Sequence, residues 1–220
     1  MRLYLAYLRA EIVTSSKSQR TRTKLLQALL AEIETNGTFT AESIAQRTHT
    51  SVATFYGHFS SKESALAAGF SLTLDTVVAV AEHAWQVERL LDMGLETLCR
   101  EGVRECVSCF QSHALVFRTA LAELPQSKLI RQIYRDHEAH ALAGYERFIR
   151  LGQRAGIIRG QAADIQTIAR AHLVLTQGLN NPHLTSGTGD ALAEDLLDVM
   201  ASAIAVNLGG PGAVTGLADA

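Results

Sequence analysis

Proline occurs only 3 times in the sequence and aromatic residues make up only 6% of it. That composition argues against a many-stranded sandwich, whose turns draw on proline and glycine. The 3 cysteines cannot all pair within the chain, and no secretory signal accompanies them, so no disulfide framework is expected. The N-terminal apolar run ends at Leu8 before Arg9, too short for the core of a signal peptide. No other run approaches the roughly 20 apolar residues of a membrane helix, so the expectation is a cytoplasmic protein with no membrane partner. Neither charge dominates: 20 basic and 22 acidic residues leave a net charge of −2, and the chain as a whole is no polycation. A glycine-rich phosphate loop, an H-E-x-x-H and a G-x-S-x-G are all missing. Adjacent acids such as Glu194 and Asp195 read as a solvated face. The expectation is therefore no enzyme, no cofactor and no metal.

What is present is a helical vocabulary. Alanine and leucine, both strong helix formers, dominate a chain of 220 residues that is 47% hydrophobic, enough to bury a sizeable core without staples. Charge is distributed unevenly. Residues 1–66 carry a net +3, from Arg2, Arg9, Lys17, Arg20, Arg22, Lys24, Arg47 and Lys62 against five glutamates, and the remainder carries −5. A basic head on an acidic body suits an anionic partner, nucleic acid among them.

Periodicity and caps place the elements. Residues 1–19 read as an N-terminal extension. Leu25, Leu29 and Ile33 recur at helical spacing, with Leu26 and Leu30 beside them, which predicts a helix from about Ser18 to Asn36 closed by Gly37. Thr40 is an N-cap, and Phe39 before it can pack on Ile44, so a short second helix runs to about Arg47. Ser51 caps a third, through His58. Ser60-Ser61-Lys62-Glu63 has capping-box spacing and starts a long fourth. Further helices are expected near 62–85, 88–111, 113–124, 127–155, 162–180 and 189–207, with breaks at Pro125, at Gly156 and Gly160, and at Asn180-Asn181-Pro182. Residues 209–220 read as a glycine-rich flexible tail. The class is all-α, with about nine helices: a helix-turn-helix domain over 20–66 and a helical effector-binding and dimerisation domain over 67–208.

Three short helices with a tight turn between the second and third form the helix-turn-helix pattern. The segment Thr40–Phe59, TAESIAQRTHTSVATFYGHF, has it. This segment resembles the TetR family of bacterial transcriptional regulators, whose signature runs T-x-x-x-I-A-x-x-A-G-V-S-x-G-T-L-Y-x-H-F-x-S-K-x-x-L. Thr40, Ile44, Ala45, Ser51, Thr54, Tyr56, His58, Phe59, Ser61 and Lys62 match it in place, and Leu66 stands one position past its final leucine. Three departures matter. His49 stands where the family has its turn glycine, a position that needs positive φ; Thr50 replaces valine; Ala53 replaces glycine. The residues also carry a reading of their own. Thr54, Tyr56 and Lys62 suit phosphate oxygens, while the small side chains at Thr50, Val52, Ala53 and Gly57 let a helix lie deep in a groove. Val52 and Ala53 suit thymine methyls, and His58 can reach a base edge. With the caps Thr40 and Ser51, these are the candidate DNA-binding residues.

The resemblance implies a ligand cavity inside the long helices and a dimer built on the last two. The apolar faces of 162–180 and 189–207 then offer Ile168, His172, Leu192, Leu196 and Val199 to a second copy. Phe110, His113, Phe117, His137, Tyr145 and His172 are the candidate effector contacts, among apolar side chains such as Leu91, Leu95, Ile133 and Phe148. The expected function is a repressor released from a pseudo-palindromic duplex by a small, mainly apolar molecule. The alternative is an architectural or partner-binding DNA factor with no effector. Cys99, Cys106 and Cys109 fall with His113 on one helical face, a pattern open to a thiol sensor or soft metal. Leu95, Gly102 and Phe110 share that face, however, and buried cysteine behaves as a small hydrophobe.

Overall fold

The computed structural model describes residues 16–158, 164–185 and 191–209, with the side chains of 183, 185 and 191–193 outside that description. Most of the expected N-terminal extension, the expected tail and the side chain of Leu192 therefore lie outside the described residues. Among the described residues the regular structure is all helix: α1 Lys17–Asn36, α2 Ala41–Thr48, α3 Val52–His58, α4 Lys62–Ala84, α5 Val87–Ser112, α6 Ala114–Ala122, α7 Lys128–Arg154, α8 Ile165–Gly178, α9 Pro182–Thr185 and α10 Ala191–Gly209. The order is the expected one, with the four-residue α9 added inside the anticipated loop. The chain divides into two compact units. One holds residues through Thr76 together with Leu115–Tyr134, and the other holds Val77–Ala114 with everything from Arg135 onward.

In the first unit, α1 buries Leu25, Leu26, Ala28, Leu29, Leu30 and Ile33 on one face. Its start lies before Ser18 because Ser16 makes a complete capping box with Gln19. Gly37 ends it at φ 70°, as a C-terminal glycine should. α4 crosses α1 so closely that a Cβ at Gly69 would lie 2.8 Å from Leu29 Cδ2. α4 itself corrects one expectation. By length and composition it is apolar enough to span a membrane, with mean hydropathy 1.6 in its most apolar window. Its core-facing Ala65, Leu66, Ala67, Phe70 and Leu74 are buried within the protein, which accounts for that composition. The cap of α4 also differs from expectation. Ser61 and Ser64, not Ser60 and Glu63, bond each other's backbone N–H, both at 3.0 Å. Glu63 instead accepts a hydrogen bond from Ser127.

The second unit contains α5, which runs through a non-helical Gly94 (φ 77°, ψ 168°) that breaks the regular ladder. His113, expected to start the next helix, ends α5 at φ −128° and so separates it from α6. Leu90, Leu98, Cys99, Gly102, Val103, Cys106, Val107, Cys109 and Phe110 form the buried face of α5. A buried stripe on α10 (Leu197, Ala201, Ile204, Leu208) meets that core.

The α2–α3 turn stores strain. His49 sits at φ 53°, ψ 43°, the only non-glycine with positive φ among the described residues. Its N–H and that of Thr50 close back on Gln46 and Ala45 carbonyls at 3.1 and 2.9 Å, a Schellman-type end that fixes the turn. The left-handed conformation costs a residue with a Cβ about 1–2 kcal/mol, of which glycine's greater unfolded freedom takes back a part. His49→Gly should therefore stabilise the protein by up to about 1 kcal/mol, raising Tm by a few degrees in a thermal melt. An unchanged or lower Tm would show the turn to be unstrained.

Candidate functional site

The helix-turn-helix is built from caps outward. Thr40 and Ser43 bond each other's backbone N–H at the start of α2, at 3.0 and 3.1 Å. Thr48 is buried; its hydroxyl donates to the Ile44 carbonyl at 2.7 Å and lies 2.9 Å from the Thr50 hydroxyl, which ties the turn together from inside. Ser51 Oγ accepts from the Thr54 N–H at 3.0 Å and starts α3. Phe55 is completely buried and packs on Phe59 at 5.3 Å, which holds α3 in one rotation. Because Phe55 points in, Tyr56 and Gly57 must point out. Tyr56 is 48% exposed, edge-on to Phe55.

The candidate DNA contacts are accordingly placed at the surface. Thr40, Ser51, Ala53, Tyr56, Gly57 and Lys62 are exposed; Thr50, Val52, Thr54 and His58 are half-buried. Phe59 is core. Two cations of α1 flank α3, and the motif did not single them out. Lys24 Nζ donates to the Thr48 carbonyl at 2.8 Å, just before α3. The Arg22 guanidinium lies over the Phe59 ring at 5.2 Å, just after it. Arg20 is exposed on the same helix. Lys62 Nζ lies over the Phe39 ring at 5.2 Å. Arg47, by contrast, is held by Glu32 at 2.8 Å. The net +3 of residues 1–66 was the available signal for the α1 cations.

The second unit contains a cavity of about 350 Å³. Its walls are Trp85, Tyr145 and Phe148, small residues including Ala81, Ala141 and Gly144, and the charged Glu82, Glu88 and Arg147. Glu82 is paired with Arg147 at 3.5 Å and His140 at 3.4 Å. Of the candidate effector contacts, Tyr145 lines this cavity, and His172 touches it through Tyr145 and Trp85, both at 4.5 Å between ring centroids. The other four do not line it. Phe117 belongs to the first unit, packed edge-on against Phe70 at 5.6 Å. Phe110 is buried in the face of α5, His113 is the cap of that helix, and His137 is half-buried on α7. Leu91, expected in the lining, is 59% exposed. Trp85 and Glu82, which do line it, were missed; the single tryptophan of an aromatic-poor chain was the signal for the first.

The helices expected to pair two copies are α8 and α10. Asn207 Nδ2 donates to the Ile168 carbonyl at 3.1 Å between them. Ile168 and Leu196 are half-buried, and Val199 is 61% exposed. His172 departs from that expectation: it is 0% exposed within its own chain, so it offers no surface to a partner. The three cysteines are free and buried, and burial raises the thiols of Cys99 and Cys106 to about 12 and of Cys109 to about 11. None is ionised near neutral pH, so none carries the thiolate a sensor needs. Among the described residues no group of three metal-ligating side chains comes together.

No protein-family model matches the chain, and no curated protein matches it. Solved structures do. A TetR transcription regulator from Haloarcula marismortui is 15% identical, superposes with a TM-score of 0.69, and is matched over 86% of this chain and 98% of its own. GusR of Salmonella enterica is 18% identical with a TM-score of 0.64, over 86% and 97%. A transcriptional regulator from Saccharomonospora viridis, solved in complex with choline, is 22% identical with a TM-score of 0.61, over 83% and 94%. At these identities the likeness is one of fold.

Proposed function

From a chain with the fold of TetR-family regulators, we propose a DNA-binding transcriptional regulator that acts as a homodimer in the cytoplasm and is controlled by a small molecule. The first unit reads the duplex and the second holds the effector. The observation that carries the reading is the outer face of α3. Phe55 alone anchors it to the core, and apart from His58 the side chains left outside are small or hydroxylated, flanked by Arg22, Lys24 and Lys62. Gly57 is the most informative of them. A Cβ there would meet no protein atom within 4 Å, so nothing in the protein's own packing calls for glycine. Glycine costs a helix interior about 1 kcal/mol against alanine, and the close approach of a duplex offsets that cost. Val174, Val199 and Val206 on α8 and α10 are 65%, 61% and 38% exposed, which supports pairing of two copies there. A two-fold dimer presents two identical recognition helices and selects a pseudo-palindromic site. α4 supplies residues to both functions, Lys62 at its start and Val78, Ala81 and Glu82 in the cavity wall. An effector that binds better to one conformation than the other shifts the population between them.

Selection of bound genomic fragments should enrich one symmetric sequence; failure to enrich any would remove the regulator reading. On that site, Lys62→Ala should weaken all sequences alike and lower the salt slope by about one. Tyr56→Phe should weaken binding without changing that slope. Gly57→Ala should keep or raise Tm while weakening the operator complex. If Gly57→Ala binds as well as the parent, α3 does not approach the duplex at that point.

A further inference from the structure

We propose that His172 is the polar anchor of the effector site, and that the ligand it selects is a neutral, ring-sized molecule bearing a hydroxyl group. This rests on the effector reading of the second unit and adds to it the class of ligand. His172 on α8 is fully buried, and neither Nδ1 nor Nε2 has a hydrogen-bond partner among the described residues. None of its polar neighbours bonds the ring. Thr176 Oγ1 donates to the His172 backbone carbonyl at 2.8 Å and interacts with the Tyr145 hydroxyl. Trp85 Nε1 has only the thiol of Cys106, a weak acceptor, to interact with among the described residues. The chain of hydroxyls thus closes on the backbone and leaves the imidazole out. A buried polar group without a partner forfeits its hydration for nothing, and native proteins hold few such groups.

The two rings that flank the imidazole at near-right angles, Trp85 and Tyr145, are also walls of the cavity. For a ligand in the cavity to reach His172, one of these two rings must turn aside. A cavity of about 350 Å³ suits a single-ring molecule. The imidazole dictates the polar group of that molecule. In its neutral form it offers one donor and one acceptor, and a hydroxyl can satisfy either. A carboxylate only accepts and an ammonium only donates, and either brings its charge against a neutral imidazole buried among aromatic rings. A hydrocarbon leaves the nitrogens as they are. Sites built to bond a hydroxyl discriminate strongly against the analogue without one.

The probes are p-cresol, p-xylene and p-toluate, three molecules of one shape, titrated calorimetrically into the full chain. p-Cresol should bind roughly tenfold or more tightly than p-xylene, one hydrogen bond's worth, and p-toluate should not bind. His172→Leu should remove the preference while retaining p-xylene. Equal binding of cresol and xylene to the parent, or a preference that survives in His172→Leu, overturns the proposal. Should that variant not fold, nitrogen-15 spectra of the histidine-labelled parent decide. p-Cresol, but not p-xylene, must shift the imidazole that stays neutral at pH 5, and no shift overturns it. Operator affinity measured with p-cresol present separates the two levels. A cresol preference through His172 with unchanged operator affinity supports the site and overturns the effector reading.

Discussion

Val199→Arg will convert the protein from a dimer to a folded monomer. α10 carries two apolar faces. Leu197, Ala201, Ile204 and Leu208 form the face buried in its own chain. At 100° per residue Val199 and Val206 lie about 180° from that stripe, and they are 61% and 38% exposed. Charges occupy the flank between, where Glu194 and Asp198 reach Arg104 and Arg100 at 3.3 and 3.9 Å. A helix bound to its own chain on one side gains nothing from exposed valines on the other unless a second surface covers them. In the proposed two-fold dimer each substitution enters the interface twice, and a buried charge without a partner costs several kcal/mol. At about 1.4 kcal/mol per factor of ten, the dissociation constant should rise by at least about a thousandfold. Because Val199 is exposed in the single chain, its arginine leaves the fold and Tm of the monomer almost unchanged. Leu196→Arg is a poorer probe, since Leu196 is half-buried and its loss disturbs the chain itself. Light scattering on a size-exclusion column decides, and an intact Val199→Arg dimer moves the interface to another surface.

The helix-turn-helix was legible because each of its parts is specified locally. Thr40 and Ser51 cap α2 and α3, Phe55 alone fixes the rotation of α3, and His49 takes the left-handed angle its position demands. Helix limits beyond it were also readable to within a few residues, since Gly156, Pro125 and the Asn180-Asn181-Pro182 break stop helices by backbone geometry alone. The cavity was not readable. It is lined by α4, the turn into α5 and α7, whose apolar residues are too numerous for periodicity to say which of them face a void and which face a neighbour. Leu91 and Phe148 have the same apolar character in sequence, yet one is exposed and the other is a cavity wall. Sequence alone offers His172 both to the ligand and to the dimer face, because an isolated histidine on an apolar stripe carries no mark of which side its stripe meets. Tertiary packing decides it, through Trp85 in the α4–α5 turn and Tyr145 on α7, both far away in sequence.

Acid will destabilise the protein steeply between about pH 6.5 and pH 3, and His172 will account for much of it. Burial pushes its imidazole down from 6.5 to about 3. The folded protein therefore holds His172 neutral while the unfolded chain takes up a proton near pH 6.5. Stability from this group is complete above pH 6.5 and is lost as the pH falls toward about 3, where the folded form protonates as well. Within that window the unfolded state binds one more proton, so the folding constant falls by up to about tenfold per pH unit. The groups against the imidazole do not obscure this. Burial raises both the Tyr145 phenol and the Cys106 thiol, so each stays neutral throughout. Trp85 does not titrate. Urea denaturation of the parent and of His172→Leu at pH 7.5, 6.5, 5.5 and 4.5 isolates the histidine. The ratio of their folding constants should be flat above pH 6.5 and then move by roughly a hundredfold in favour of the leucine variant by pH 4.5. Parallel curves would mean that His172 takes up its proton equally in both states. The imidazole would then have solvent or a partner that the buried cluster around Trp85 and Tyr145 does not provide.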